Sequence, residues 1–299
     1  MKICIFGGTG FVGRALAAQC VAAGHYVRVI TRRRERHRDL LVLPNFHLIE
    51  GDPNNVASLR QELRGMDAAV NLIGILNPGK HASFEHAHVE LPRKIANVCH
   101  ELGVPRLLHM SALGAAPDAP SAYLRSKAAG EAAVNMVASR VGVTLFRPSV
   151  IFGAHDSFTN RFAQLLRRIP FSFPLACPQA RLQPVYVNDV TRAFLYALAH
   201  RHTAGETYHL CGPQAYTLLE IVELIARTAR LQRRIVPLSP SLSQLQATIM
   251  EYAPGKPFTR DNYLSLTRDN VCAGAFPAEF GITPNAMETV VPAYLAPAP

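Results

Sequence analysis

The chain has 299 residues, 49% hydrophobic and 17% charged, a composition that describes a globular protein and excludes a disordered one. Its formal net charge of +10 implies affinity for something anionic: a nucleotide cofactor, an acidic protein partner or a membrane surface. The basic residues are not interleaved with aromatics and accompany no helix-turn-helix, zinc-finger or RNP-like pattern, which argues against nucleic acid.

In chain order, Lys2–Phe6 reads as a buried parallel strand and Phe11–Ala23 as an amphipathic helix. Between them lies GGTG, the first part of GGTGFVG. A glycine-rich turn from strand to helix leaves backbone N–H groups free at a helix N-terminus, which is a phosphate site. Gly7 suits the tight turn, Gly10 a close approach of a pyrophosphate, and Gly13 close helix–strand packing. Thr9 adds a hydroxyl, and Phe11 and Val12 contribute the first helical N–H groups. A strand beginning at the initiator methionine, with no signal segment before it, gives the expectation of a cytoplasmic protein, at most peripheral at the inner face of a membrane.

The second strand, Tyr26–Thr31, ends in TRRRE. Sites for NAD usually carry an acid here, accepting from the adenosine ribose. Arg32, and next Arg33, stand in its place and suit a 2′-phosphate, so NADP(H) is expected ahead of NAD(H). After the third strand, Phe46–Glu50, Asp52 is placed to accept from an adenine amino group or to cap the helix near Val56–Leu63. Ile73 and Gly74 end the fourth strand, Ala68–Ile73, where a small residue lets backbone lie against a cofactor.

A helix over Ala87–Leu102 and a strand over Arg106–Met110 precede SAYLRSKAAGE. Tyr123 and Lys127, at i and i+4 on a helix over Tyr123–Val141, project from one face. An ammonium beside a phenol favours the phenolate and makes proton transfer practicable near neutral pH. The alternation of strands and helices predicts an α/β fold with a doubly wound parallel sheet. Residues 1–150 are expected to form the dinucleotide-binding domain. Residues 151–299 are expected to form a smaller mixed α/β lobe, with segments returning to the main domain.

That second part opens with a proline-rich loop, in which Arg181 is a candidate substrate contact. A helix in VNDVTRAFLYALAH is expected to start at Asn188 or Asp189, and Thr217 and Glu220 form a capping box. The tail PAYLAPAP is expected to be mobile. Six scattered cysteines (Cys4, Cys20, Cys99, Cys177, Cys211 and Cys272) without a CxxC pair read as free thiols. The histidines at His86 to His88 and His200 to His202 read as surface or core residues, and no metal site is expected.

GGTGFVG, the Tyr123–Lys127 pair and RPSVIFG together resemble the extended and atypical short-chain dehydrogenase/reductase superfamily. TRRRE, HVELPRKIA, MSALGA and QPVYVNDV look most like the branch containing the accessory subunit of mitochondrial complex I and its bacterial relatives. The resemblance implies that Tyr123 is the catalytic acid/base, Lys127 its partner, and Pro148 and Ser149 neighbours of the nicotinamide. The mitochondrial member of that branch holds its cofactor tightly and is thought structural. One departure stands out: Leu113 falls where these enzymes carry a hydroxyl, leaving Ser111 as the candidate to polarise a substrate oxygen. Three readings follow: a protein of the accessory-subunit type, a working reductase, epimerase or dehydratase, or a redox sensor. The first is the expectation.

Overall fold

The structure, a computed structural model, describes residues 1–79, 83–169 and 171–297. Strand β1 (Lys2–Phe6) passes through the glycine turn into α1 (Phe11–Ala22), followed by β2 (Tyr26–Thr31), β3 (Phe46–Glu50), α2 (Val56–Leu63) and β4 (Ala68–Asn71). Next come α3 (Leu91–Leu102), β5 (Arg106–Met110), α4 (Ala122–Asn135) and β6 (Gly142–Pro148). Four of β1's five residues are buried, as are all of β4's, which is why these strands lack polar alternation.

The main sheet has the order β3-β2-β1-β4-β5-β6 and gains a seventh strand, Thr207–Leu210, beside β6. Every pairing in it is parallel. It is a doubly wound Rossmann-type sheet, with one apolar cluster around Ile5, Leu16, Val29 and Phe194 and another around Phe6, Leu63, Ile95 and Leu107. The strand order reverses between β1 and β4, and the glycine turn lies at their carboxyl ends, where such sheets bind ligands.

A second lobe carries small sheets of its own. It comprises β7 (Ile151–Phe152), α5 (Thr159–Arg168), β8 (Ser172–Leu175), β9 (Arg181–Leu182) and β10 (Val185–Tyr186). After α6 (Val187–Ala199) and β11 (Thr207–Leu210), it continues with β12 (Tyr216–Thr217), α7 (Leu218–Thr228), β13 (Arg234–Pro237), α8 (Pro240–Met250) and α9 (Arg260–Ser265). The Thr217–Glu220 capping box forms, each side chain meeting the other residue's backbone.

Several expectations are corrected. Helix α6 starts at Val187, and Asp189 is not its cap: its carboxylate accepts from the Asn285 N–H at 2.7 Å and anchors the C-terminal segment. Cys211 and Cys272 form a disulfide across 61 positions, so only Cys4, Cys20, Cys99 and Cys177 are free among the described residues. The pairing arises because Asn270 bridges to Leu182 and the Cys272 N–H donates to Gln183, which brings the C-terminal chain alongside β11. Part of the tail is ordered: Pro292–Leu295 is a helical turn with Leu295 buried, while residues 298–299 lie outside the described residues.

Candidate functional site

Gly7 has φ +78° and would bring a Cβ to 3.0 Å from the Leu72 carbonyl carbon, so the turn is wedged against the end of β4. A Cβ on Gly13 would lie 2.2 Å from the Gly7 oxygen, and one on Gly8 would lie 2.5 Å from the Val29 side chain. Gly8 therefore belongs with the other glycines, although the three-residue spacing passes over it. At Gly10 a Cβ would meet only the Gly7 oxygen, at 3.3 Å, a milder crowding than at the other three. Phe11 packs its ring near Gly153, joining the turn to the loop after β7. Val12 is buried in the core. The Thr9 carbonyl accepts from Arg14 Nε at 3.0 Å, and Arg14 also pairs with Asp39.

Four other candidates lie past the carboxyl ends of β4 and β5 and on α4. Lys127 Nζ donates to the Met110 carbonyl at 3.1 Å, and a Cβ on Gly74 would touch that nitrogen at 3.1 Å. Ile73 donates its N–H to Asn71 at 3.2 Å. Tyr123 is half-buried, and loss of hydration pushes its phenol up to about 12. The expected lowering by Lys127 is absent. Burial pushes Lys127 down to about 8, opposed by the Glu131 carboxylate. The pair is thus a neutral phenol beside an ammonium at neutral pH. The backbone under Tyr123 is fixed from far along the chain: Asp261 accepts from the Ala122 and Tyr123 N–H groups at 2.6 and 3.1 Å.

Ser111 and Ser149 behave differently. The Ser111 hydroxyl is buried with no partner among the described residues, while Leu113 is tied by its N–H to the Pro148 carbonyl at 2.9 Å. The Ser149 hydroxyl is committed to Asn270, whose amide also donates to the Leu113 carbonyl at 3.3 Å. Pro148 ends β6, paired with Leu210. Asp52 is exposed and closes a local turn with Asn54 at 3.0 Å, and the cap of α2 is Asn55. Arg181 is exposed and pairs with Asp269 at 3.4 Å.

Sequence reasoning missed His88, His109, Asp261 and Asn270. His88 lies in a π-helical turn, His86–Glu90, so the ordinary helical spacing misjudges its direction. Its Nε2 accepts from the Ile75 N–H at 3.0 Å, its Nδ1 meets Ser126 Oγ at 2.8 Å, and its ring lies edge-on to Tyr123 with centroids 5.5 Å apart. His109 Nδ1 meets the Asn71 amide at 3.0 Å. Burial first, then the Lys127 charge, pushes both imidazoles down to about 3.

That depression has a measurable consequence. Between the unfolded pKa near 6.5 and the folded value the unfolded chain binds more protons, so this stability is present above about pH 6.5 and is lost as pH falls toward 3. The two histidines together should remove about 2–3 kcal/mol per pH unit between about pH 5.5 and 4. Urea unfolding across that range should fall less steeply for His88→Gln; an unchanged slope contradicts the assignment.

Residues 3–211 match the model of the NAD dependent epimerase/dehydratase family. The mitochondrial NADH-ubiquinone oxidoreductase 40 kDa subunit of Neurospora crassa is 33% identical over 78% of this chain and 61% of its own length. The mitochondrial NADH dehydrogenase [ubiquinone] 1 alpha subcomplex subunit 9 of Mus musculus is 34% identical over 74% of this chain and 59% of its own. The chain thus spans about three fifths of either relative. Among solved structures, UDP-glucuronic acid 4-epimerase from Bacillus cereus, with UDP-glucuronic acid and NAD, aligns with a TM-score of 0.68 at 19% identity over 80% of this chain and 86% of that one. The dTDP-glucose 4,6-dehydratase DesIV of Streptomyces venezuelae, a double mutant with NAD bound, aligns with a TM-score of 0.67 at 22% identity over 80% and 85%.

Two expectations are overturned. Where the aligned structures name a dinucleotide it is NAD, which corrects the expectation of NADP(H). The physical reason is that Arg32 and Arg33 are exposed, and a guanidinium also serves by stacking on a base or pairing with a pyrophosphate, so it does not diagnose a 2′-phosphate. The five complex I subunits among the relatives are named as mitochondrial, which stands against the cytoplasmic expectation.

Proposed function

Because the chain belongs to the NAD dependent epimerase/dehydratase family, we propose that it is a working oxidoreductase-type enzyme acting on a carbonyl or hydroxyl substrate. Gly7, Thr9, Gly10 and the first turn of α1 would hold the dinucleotide pyrophosphate, with Ile73, Gly74, Pro148 and Ser149 along its nicotinamide half. Gly10 supports the fit, since a Cβ there would meet a single atom while those on Gly7, Gly8 and Gly13 would each meet three. When bound, the dinucleotide supplies or accepts a hydride.

The observation that carries the reading is the state of the Tyr123–Lys127 pair. A phenol held near 12 keeps its proton at neutral pH and delivers it to an oxygen that is gaining charge. Lys127, near 8 and bonded to the Met110 carbonyl, keeps a positive charge there under most neutral conditions and favours that transfer. Such an arrangement favours reduction of a carbonyl over oxidation of an alcohol. The unpartnered Ser111 hydroxyl is the group available to polarise the substrate oxygen.

The test is a single turnover: the protein mixed with NADH and a panel of carbonyl compounds, sugar nucleotides included, with absorbance at the nicotinamide band followed. Oxidation of NADH by at least one class is the expected result, and none across the panel sinks the catalytic reading. The identities near one third to complex I subunits favour a second reading, a structural subunit with a held cofactor. It predicts no turnover and co-purification within a larger assembly.

A further inference from the structure

Helix α8 is inverted relative to an ordinary amphipathic helix. The residues it buries are small, Ser243 and Ala247, and Ser243 Oγ accepts from the Cys177 N–H at 3.0 Å. Its large apolar residues point outward: Leu245 is 54% exposed and Ile249 63%, with Leu242 beside them and Tyr252, 81% exposed, just past the helix end. At about 100° per residue the three helical ones fall within an arc of about 60°. The stretch 235–250 carries no charged residue.

The stripe has neighbours. Gln246 of α8 donates to the Pro174 carbonyl of β8 at 3.3 Å, so the helix lies along the β8–β13 ribbon. At the start of that ribbon Phe171 is 85% exposed with φ +64°, a left-handed backbone that a bulky residue rarely adopts. Its carbonyl accepts from the Arg234 N–H at 2.9 Å. Arg233 donates to the Leu166 carbonyl at 3.0 Å, which brings exposed Arg167 and Arg168 at the end of α5 to the same region. The acids flanking these elements in the chain, Glu223 of α7 and Glu251 just after α8, pair with Arg227 at 3.8 Å and Arg260 at 2.7 Å.

We propose that α8, with Phe171 and the arginines around it, is a docking surface for an anionic lipid bilayer, on which the helix lies flat with Leu242, Leu245, Ile249 and Tyr252 inserted. An uncharged apolar ridge with a basic border is the composition that surface binding needs. A second copy is a poorer occupant. The 11-residue helix offers a face about 16 Å long and 10 Å wide, far below the roughly 800 Å² per partner of a stable interface, and pairing would bring like-charged arginines together. A bilayer needs no matching area. Among the described residues no helix is long and apolar enough to cross a membrane, so the contact is peripheral. The proposal rests on surface residues remote in sequence from the glycine turn and is independent of the catalytic reading.

The test is co-sedimentation of the full chain with vesicles of phosphatidylcholine alone or with about one third phosphatidylglycerol. Binding only to the anionic vesicles is expected, about a hundredfold weaker for Leu245→Glu/Ile249→Glu and about fivefold weaker per arginine in Arg167→Gln, Arg168→Gln and Arg234→Gln. The chain has no tryptophan, so Ile249→Trp adds a single reporter whose emission should shift to the blue with those vesicles. No vesicle binding, binding unaltered by the double substitution, or an unshifted emission overturns the proposal. So does a lipid-free dimer that the double substitution disperses, which assigns the face to a second copy.

Discussion

Tyr123→Phe is expected to lower turnover about 10³-fold, the usual worth of a general acid placed on the reacting oxygen. The phenyl ring keeps the edge-on packing on His88 at 5.5 Å and on Phe84 at 6.0 Å, so the fold has no reason to change. Losing one hydroxyl should alter dinucleotide affinity by no more than about fivefold, the equivalent of one hydrogen bond. Turnover and affinity therefore separate. The check is kcat on whichever carbonyl substrate responds, beside NADH affinity and melting temperature. Turnover retained within a few-fold removes Tyr123 from the chemistry, and Lys127 would then be the group to test.

Substitution of Gly13 should have the largest effect on binding. Its Cβ would sit 2.2 Å from the Gly7 oxygen and 2.6 Å from the Gly8 Cα, both backbone atoms that cannot swing aside. Helix α1 would have to leave the end of β1. Gly13→Ala is expected to cost about 3 kcal/mol of stability and to weaken NADH binding at least a hundredfold, at the upper end of overpacking effects. Gly10→Ala separates the two consequences, since its Cβ meets only one atom, at 3.3 Å. It should melt near the wild-type temperature yet bind NADH about tenfold more weakly, because the methyl group occupies the approach path. Calorimetric titration beside thermal melting measures both. Gly10→Ala binding as wild type would mean that the dinucleotide does not pass over this turn.

Much of this was legible in the chain because it is local. A strand, a glycine turn and a helix announce themselves within 22 residues, and Thr217 and Glu220 cap α7 through contacts three residues apart. Tyr123 and Lys127 were legible for the same reason. What the sequence hid depends on distant segments meeting. Asp261 reaches the Tyr123 N–H across 138 positions, and Asn270 reaches Ser149 across 121, with no pattern in either stretch to announce it. The Cys211–Cys272 disulfide is hidden likewise. The direction of the Tyr123 phenol was hidden likewise, because burial, which spacing does not show, pushes it up. Arg32 misled because residue type alone does not say which part of a nucleotide a guanidinium will meet.

The central claim is that a nicotinamide dinucleotide lies on the turn between β1 and α1 and crosses toward the end of β4. Hydrogen exchange read by mass spectrometry, with and without saturating NADH, tests it most directly. The account predicts added protection over residues 7–14 and 73–75, where backbone N–H groups of the turn and of Gly74 would meet the ligand. No added protection there, or protection confined to the second lobe, would contradict it.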